Sequence, residues 1–292
     1  MKLIESSYKI LPQEPGLDGI YKMCEIAGRT AYKSEDRITE GSAKKFVDAL
    51  IKLNHGAVLE HGTIYLKFQN YVEQVSEFTI ENSTYTADQY TNNKYSKVKQ
   101  VGDYIYVTTN LRVLLENNWM DDLRYLCEPT EYHEKRISVK FICSRSIAQE
   151  ITRHRVFSFL MESQRYVAYN KDKFGGEITY IIPDWVKLRM NDLSEDDFFD
   201  CQDKAVKRWF EALRYAEYEY MGLIGEGLKA EEARSVLPND CKTELVMTGF
   251  VSDWEHFFDL RALDKTGKAH MDIKALACPL RAEFILNEYV KD

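Results

Sequence analysis

Residues 153–166, RHRVFSFLMESQRY, bring together side chains that bind anions. Arg153, Arg155 and Arg165 supply planar guanidinium groups, which match phosphate oxygens in bidentate fashion and stay charged at any physiological pH. Ser163 adds a hydroxyl. The whole chain carries a formal net charge of −8, so its overall field repels polyanions. This local concentration of positive charge therefore indicates a specific site for phosphate groups.

The sequence lacks the usual signatures of several other kinds of site. It contains no HExxH, GxSxG, GxxxxGK[ST] or GxGxxG pattern, and its six histidines show no metal-ligand spacing. We therefore expect no catalytic metal, and binding of phosphate falls to arginine. Arg234 in EEARSVLP and Arg261 in FFDLRALD are further candidates. Any one of these arginines alone is better explained as a solvated or salt-bridged surface residue, and only the cluster as a whole favours an anion site.

Composition places few limits on the function. The chain has 292 residues, of which 45% are hydrophobic and 29% charged, as in an ordinary globular protein. Six dispersed cysteines without a CxxC pair suit reduced thiols, and neither a signal peptide nor a membrane span is evident. We expect a cytoplasmic protein that binds neither membrane nor nucleic acid. The acidic balance does not argue against a single small nucleotide.

Hydrophobic spacing predicts the elements in the first half of the chain. Residues 41–54 read as a helix with Phe46, Val47, Leu50 and Leu53 on one face, and 58–68 read as the start of a strand. Residues 69–136 differ in composition and form a long excursion, with a strand at 104–110 and a helix at 111–126. A small separate domain is the alternative for this segment.

The second half of the chain predicts one strand and several long helices. The strand is 137–143, followed by a helix that begins at Ser146. Further helices are predicted from about 194 to the glycines at 222–227, from 241 to 260, and from 269 to 290 with an interruption near Pro279. The sum is an α+β fold, a single mixed α/β domain over 1–292 with long helices around a modest sheet.

Residues 153–166, together with other segments along the chain, resemble the motifs of a known family. Arg-His-Arg, seven residues and then Ser163 is the signature of the flavin-dependent thymidylate synthases, and Gln164-Arg165-Tyr166 extends it. Four further segments resemble family motifs in the family's order: GRTAY (28–32), EHGT (60–63), ARSVLP (233–238) and HFFDLR (256–261). The resemblance implies the fold of that family and its activity. That activity converts deoxyuridylate (dUMP) to thymidylate with methylenetetrahydrofolate as carbon donor, FAD as cofactor and NADPH as reductant.

The resemblance also implies roles for particular residues. Those implied to contact FAD are Arg153, His154, Arg155, Thr63 and His256, with His61 close to the flavin. The dUMP phosphate would be held by Ser163, Gln164, Arg165 and Arg234, and the nucleotide site lined by Glu150 and Arg153. Arg261 would face the uracil and favour ionisation at its N3. The family works without a cysteine nucleophile, and its sites are shared between the subunits of a homotetramer.

The chain departs from the family pattern inside its best motif. Leu160 and Met161 stand where many members place polar residues, including an acid, and we consider Glu162 as a substitute. Glu150 stands where glutamine is common, and Ala31 where serine is frequent.

Three alternatives to this function stay open. Cys278-Pro279 resembles the nucleophile of the cysteine-dependent thymidylate synthases, although its apolar context favours a buried packing cysteine. A non-enzymatic nucleotide- or RNA-binding protein would use the Arg-His-Arg patch without a flavin. A related flavin- and folate-dependent methyltransferase would use a different acceptor.

Overall fold

A computed structural model describes residues 1–69, 88–164, 169, 176–190 and 198–291. The strands are β1 (Lys2–Ile4), β2 (Ser7–Leu11), β3 (Thr63–Gln69), β4 (Lys97–Val101), β5 (Tyr104–Asn110), β6 (Arg136–Ser144), β7 (Ser158–Met161), β8 (Thr179–Ile181) and β9 (Lys242–Phe250). The α-helices are α1 (Gly16–Tyr32), α2 (Ser42–Lys52), α3 (Asp88–Thr91), α4 (Leu111–Glu116), α5 (Arg145–Ile151), α6 (Asp184–Lys187), α7 (Lys204–Gly225), α8 (Ala230–Ala233), α9 (Val251–Arg261) and α10 (Met271–Leu286). The predicted mixed α/β class is confirmed.

A four-stranded antiparallel sheet of order β2-β6-β9-β7 lies at the centre. Alternate residues of a strand point to opposite faces. On one face, Phe141 and Leu245 pack with Trp254 of α9 and Phe284 of α10 in the largest apolar cluster. The other face carries the alternate residues and contacts α1 through β7 and β9. That second face holds most of the polar side chains discussed below.

The excursion adds β4 and β5 to β3, which precedes it, and the three strands form a second sheet of order β3-β5-β4. Its inner side chains, such as Leu66 and Val107, share an apolar cluster with Ile20 of α1 and Val47 of α2. The strand predicted at 104–110 is confirmed as β5, whereas the helix predicted at 111–126 is two short pieces, α4 and a 3₁₀ turn at Met120–Tyr125. The assignment of the excursion to one domain with the rest stays a prediction.

The prediction of a helix over 241–260 is wrong in its first half. Residues 242–250 form β9, the strand that lies between β6 and β7, and α9 begins only at Val251. All but the first residue of β9 are buried. Its sequence, KTELVMTGF, has only three consecutive apolar residues, because Glu244 and Thr248 are buried by partners from distant segments. It therefore shows neither the alternation of a half-exposed strand nor a continuous apolar run.

Three smaller predictions also need correction. Ser144, not Ser146, caps α5, since its hydroxyl accepts a hydrogen bond from the amide of Ile147 at 3.3 Å. Leu53 is 63% exposed and lies just past the end of α2. Helix α10 continues through Pro279, where the sequence predicts an interruption. Leu276 and Leu280, before and after the proline, are both buried in the central cluster, and this packing holds the helix together.

Other element predictions are confirmed. The strand predicted at 137–143 is β6, the helix predicted at 41–54 is α2, and the glycines near 225 end α7. Position 194 itself lies outside the described residues, but the predicted start of that last helix is too early, since residues 200–203 are not helical and α7 begins at Lys204, capped by Asp203. Over the described part of the chain, no helix combines the length and apolar character needed to cross a membrane.

The apolar cluster under the central sheet predicts an unequal response to two leucine truncations. Leu280 is fully buried in this cluster and Leu53 is 63% exposed. Leu280→Ala should lower the free energy of unfolding by about 2–5 kcal/mol, because it leaves a cavity. Leu53→Ala should change it by less than about 0.5 kcal/mol. Urea unfolding measures both, and equal losses would contradict the packing described.

Candidate active site

The end of α9 meets the segment that follows α5. The Nε of Arg261 donates a hydrogen bond to Nε2 of His154 at 3.1 Å, and Nη1 donates to the Glu150 carboxylate at 3.2 Å. These contacts join residues 107 and 111 positions apart in sequence. Three residues that the sequence predicted to share a site therefore lie together: the histidine of the Arg-His-Arg segment, the preceding glutamate and the last arginine of HFFDLR.

His154 is held as a neutral ring. It is 8% exposed and meets the ring of Phe257 edge-on at 5.0 Å. Burial, then the positive charge of Arg261, then His256, lower the pKa of His154 to about 4. Because its Nε2 accepts the hydrogen bond from Arg261, the neutral ring carries its proton on Nδ1. His154 therefore orients Arg261 as an acceptor and adds no positive charge.

The two arginines that flank His154 face solvent. Arg153 and Arg155 are exposed, on the turn between α5 and β7, and neither forms an ion pair with a described residue. Exposed guanidinium groups without a carboxylate partner are free to bind an external anion. His256 is also exposed, on α9. It lies close enough to His154 to help lower the pKa of that ring.

His61 and Thr63 lie in a second, buried cluster. The fully buried ring of His61 places Nδ1 2.7 Å from Oγ1 of Thr248, and that hydroxyl is 2.7 Å from Oγ of Ser138. Burial, then Arg136, lower the pKa of His61 to about 3. Its Nε2 has no hydrogen-bond partner among the described residues. A neutral, buried imidazole with one unused nitrogen fits a site that a bound group completes.

Arg136 connects this cluster to the start of β7. Its Nη1 donates to the Glu60 carbonyl at 3.0 Å and to Oγ1 of Thr63 at 3.4 Å, and Nη2 donates to Oγ of Ser158 at 3.5 Å. The backbone of Thr63 is fixed from the other side by two 2.8 Å hydrogen bonds with the Gln13 amide. The EHGT segment and the start of β7 are thus held against one another by a buried arginine.

The proposed phosphate-binding residues are described only in part. Ser163 follows β7, and its amide donates to the Ala31 carbonyl at 3.2 Å. Gln164 is 6% exposed, and its side chain donates to the hydroxyl of Tyr169 at 3.4 Å. Arg165 lies outside the described residues. Arg234 begins a 3₁₀ turn and donates to the Glu231 carbonyl at 3.2 Å. Their convergence on one phosphate stays a prediction.

Leu160 and Met161 pack in the apolar interior. Leu160 contacts the cluster shared by α1 and the second sheet, and Met161 contacts the one under the central sheet. Glu162 is 2% exposed, and its carboxylate lies 2.9 Å from Nζ of Lys242. That carboxylate already has a cationic partner, so its proposed use as a substitute ligand would compete with this ion pair.

Lys242 belongs to a buried ion-pair network that the sequence reasoning missed. Glu244 pairs with Lys33 at 2.5 Å, with Lys242 at 2.6 Å and with Lys140. Burial alone would raise the pKa of Glu244, but the three lysines lower it to about 2. The network joins α1, β6 and β9 beside Ser163. Its sequence signal is the polar alternation Arg136, Ser138, Lys140 along an otherwise apolar strand.

Cys278 is exposed, contrary to the expectation of a buried packing residue. It lies on the outer side of α10, next to Pro279, and its Sγ is 3.7 Å from the Ala262 carbonyl. The helix buries Leu276, Ala277 and Leu280 and turns Cys278 outward. All six cysteines are free.

Comparison with known proteins decides the family. The model of the thymidylate synthase complementing protein family matches residues 128–285, more than half of the chain. This chain belongs to that family. The matched region contains Glu150, His154 and Arg261, together with the rest of the Arg-His-Arg segment, and it begins within the excursion.

Relatives in the family carry a common name. A flavin-dependent thymidylate synthase from Synechocystis is 34% identical over 146 residues, which cover 48% of this chain and 63% of that protein. One from Pyrococcus horikoshii is 29% identical over 149 residues, 51% of this chain and 54% of that protein. A probable member from Paramecium bursaria Chlorella virus 1 is 28% identical over 135 residues, 46% of this chain and 60% of that protein. The chain spans little more than half the length of these relatives.

A solved structure resembles the chain more remotely. The match with the UMP/dUMP methylase PolB of Streptomyces cacaoi, bound with 5-Br dUMP, covers 98% of this chain and 93% of the PolB chain. The identity is 16% and the TM-score 0.46, values too low to support a conclusion about this family member.

The two buried histidines predict how stability depends on pH. Their pKa values are lowered from 6.5 to about 3 for His61 and about 4 for His154. Between these values and 6.5 the unfolded chain binds more protons, so the free energy of unfolding falls as the pH falls. His61→Gln removes one such proton and should reduce the slope near pH 5 by about 1.4 kcal/mol per pH unit. Urea unfolding over a pH series measures this, and an unchanged slope would contradict the neutral buried ring.

Proposed function

We propose that this protein is a flavin-dependent thymidylate synthase, which methylates dUMP with methylenetetrahydrofolate as carbon donor and NADPH as reductant. The observation that carries the proposal is the contact of Arg261 with His154 and Glu150. It joins two of the segments on which the family resemblance depends. Membership of a family whose relatives bear this name supports it.

The described residues fit a bound FAD. Arg153 and Arg155 are exposed and have no described carboxylate partner, which suits a diphosphate. His61 has an unpartnered ring nitrogen, and Thr63 lies beside it. We propose these residues, with His154 and His256, as those that hold the cofactor. Bound FAD would supply the hydride chemistry, and the protein would position it and exclude water.

Arg261 is suited to stabilise negative charge on a pyrimidine. Its Nε and Nη1 are fixed by His154 and Glu150, whereas Nη2 has no partner among the described residues. A guanidinium that is already oriented costs little reorganisation when charge develops next to it. We propose that its free side faces the uracil carbonyl and N3, which favours ionisation of the ring. Glu150 would then position Arg261 in addition to lining the nucleotide site.

The remaining parts of the proposal are the phosphate site and the assembly. Ser163, Gln164, Arg165 and Arg234 are proposed to hold the dUMP phosphate, with Arg153 at its edge. Active sites shared between the subunits of a homotetramer would explain why Arg153 and Arg155 are exposed in a single chain. Free cysteines suit the proposed cytoplasmic location.

The visible absorption spectrum of the purified protein tests this function. We expect a yellow protein that bleaches on anaerobic addition of NADPH, because FAD is then reduced. Its colour should return when dUMP and methylenetetrahydrofolate are added together.

Other outcomes separate the alternatives. A colourless protein after reconstitution with FAD, with RNA binding that weakens steeply with salt, would contradict the proposal and favour the RNA-binding alternative. A flavoprotein whose reoxidation responds to another pyrimidine nucleotide, and not to dUMP, would indicate a methyltransferase with a different acceptor.

A further inference from the structure

Arg136 is a buried cation without an ion-pair partner among the described residues. It is 8% exposed at the head of β6, and its three hydrogen bonds go to a carbonyl and two hydroxyls. Burial lowers its pKa to about 10, so the guanidinium stays charged at neutral pH. Its Nε has no hydrogen-bond partner in the described structure. A buried, incompletely satisfied arginine costs several kcal/mol unless an anion compensates for it.

The nearest carboxylates are already engaged elsewhere. Glu60 and Asp253 are close enough to raise the pKa of Arg136, but neither forms a salt bridge with it. The Glu60 carboxylate lies 2.5 Å from Nη1 of Arg112. The Asp253 carboxylate accepts the amide of Phe250 at the start of α9. The protein thus places a fixed positive charge in its interior and leaves its neutralisation to another group.

Arg136 lines a cavity of about 220 Å³. This cavity, which we call the Arg136 pocket, is bounded by residues 10–16 and 126–129, by β3 and by the first residues of β6. Its polar walls include the hydroxyl-bearing residues Thr63, Tyr65 and Ser138, and Lys135 adds a second cation. Two carboxylates also border it, Glu14 and Glu128, but both are exposed to solvent, and Glu14 pairs with Lys22 at 2.6 Å. Since a water occupies about 30 Å³ of liquid, the pocket has room for an oxyanion and several attached atoms.

We propose that the Arg136 pocket binds an oxyanion, a carboxylate or a phosphate group of a ligand other than FAD and dUMP. Arg136 supplies the fixed charge, and hydroxyl groups of the wall supply further donors. Charge-assisted hydrogen bonds of this kind are shorter and stronger than neutral ones. Because Arg136 also bonds the Glu60–Thr63 segment and Ser158, binding of the anion would hold these two segments together.

The test measures thermal unfolding of the purified protein with excess FAD and dUMP. Inorganic phosphate in one series, and acetate in another, replaces chloride at constant ionic strength. Both FAD and dUMP fill the phosphate sites proposed above, so that the remaining response reports the Arg136 pocket. We expect a saturable rise in the melting temperature, because the anion binds only the folded chain. The series with the larger response distinguishes a phosphate from a carboxylate as the natural group.

Three variants assign the response to the pocket. Arg136→Met should weaken the apparent anion affinity at least tenfold, and Tyr65→Phe, which removes only a hydroxyl from the pocket wall and is expected to fold, should weaken it severalfold. Arg112→Met is the matched control, because Arg112 is a partly exposed, ion-paired arginine outside the pocket. It should leave the affinity unchanged. A wild-type protein that shows no saturable response, or a Tyr65→Phe variant that responds like wild type, would overturn the proposal whatever the flavin experiment shows.

Discussion

The described site depends on one hydrogen bond, from Arg261 to His154. An imidazole accepts such a bond only while it is neutral, and the buried position against Phe257 keeps it so by lowering its pKa to about 4. The apolar packing around His154 therefore determines that its ring is uncharged. The same apolar cluster that stabilises α9 against the central sheet determines that Arg261 is oriented, and that Glu150 reaches its second nitrogen.

The central sheet has two faces of different character, and this difference positions the rest of the site. One face is apolar and buries α9 and α10. The other carries Arg136, Ser138 and Lys140 on β6 at a spacing of two, and Thr248 and Glu244 on the neighbouring strand β9, with Ser138 directly opposite Thr248. Buried polar groups need partners, and here they take them from α1 and the EHGT segment. The network around Glu244 and the bonds of Arg136 thereby fix residues that are far apart in sequence.

Sequence reasoning proposed the candidate site from two signals that require no knowledge of the fold. One is the unusual Arg-His-Arg segment of an acidic chain, and the other is the resemblance to family motifs such as the one that ends in Arg261. The strands at β5 and β6 followed from their β-branched composition. Strand β9 was misread because buried polar residues, Glu244 and Thr248, interrupt the hydrophobic patterns that identify a strand. Arg136 and Glu244 escaped notice because their partners come from distant segments, and only the folded chain shows which charges are neutralised.

The measurement that tests the account most directly is mass spectrometry of the nucleotide formed from dUMP with FAD, NADPH and methylenetetrahydrofolate. Wild-type protein should yield a product heavier by one methylene unit. Arg261→Lys should lower the rate at least about 100-fold, because a point charge does not reproduce the oriented guanidinium, while its flavin content stays that of wild type. Cys278→Ala should react as wild type does. Unchanged turnover in Arg261→Lys, or loss of turnover in a folded Cys278→Ala variant, would contradict the account.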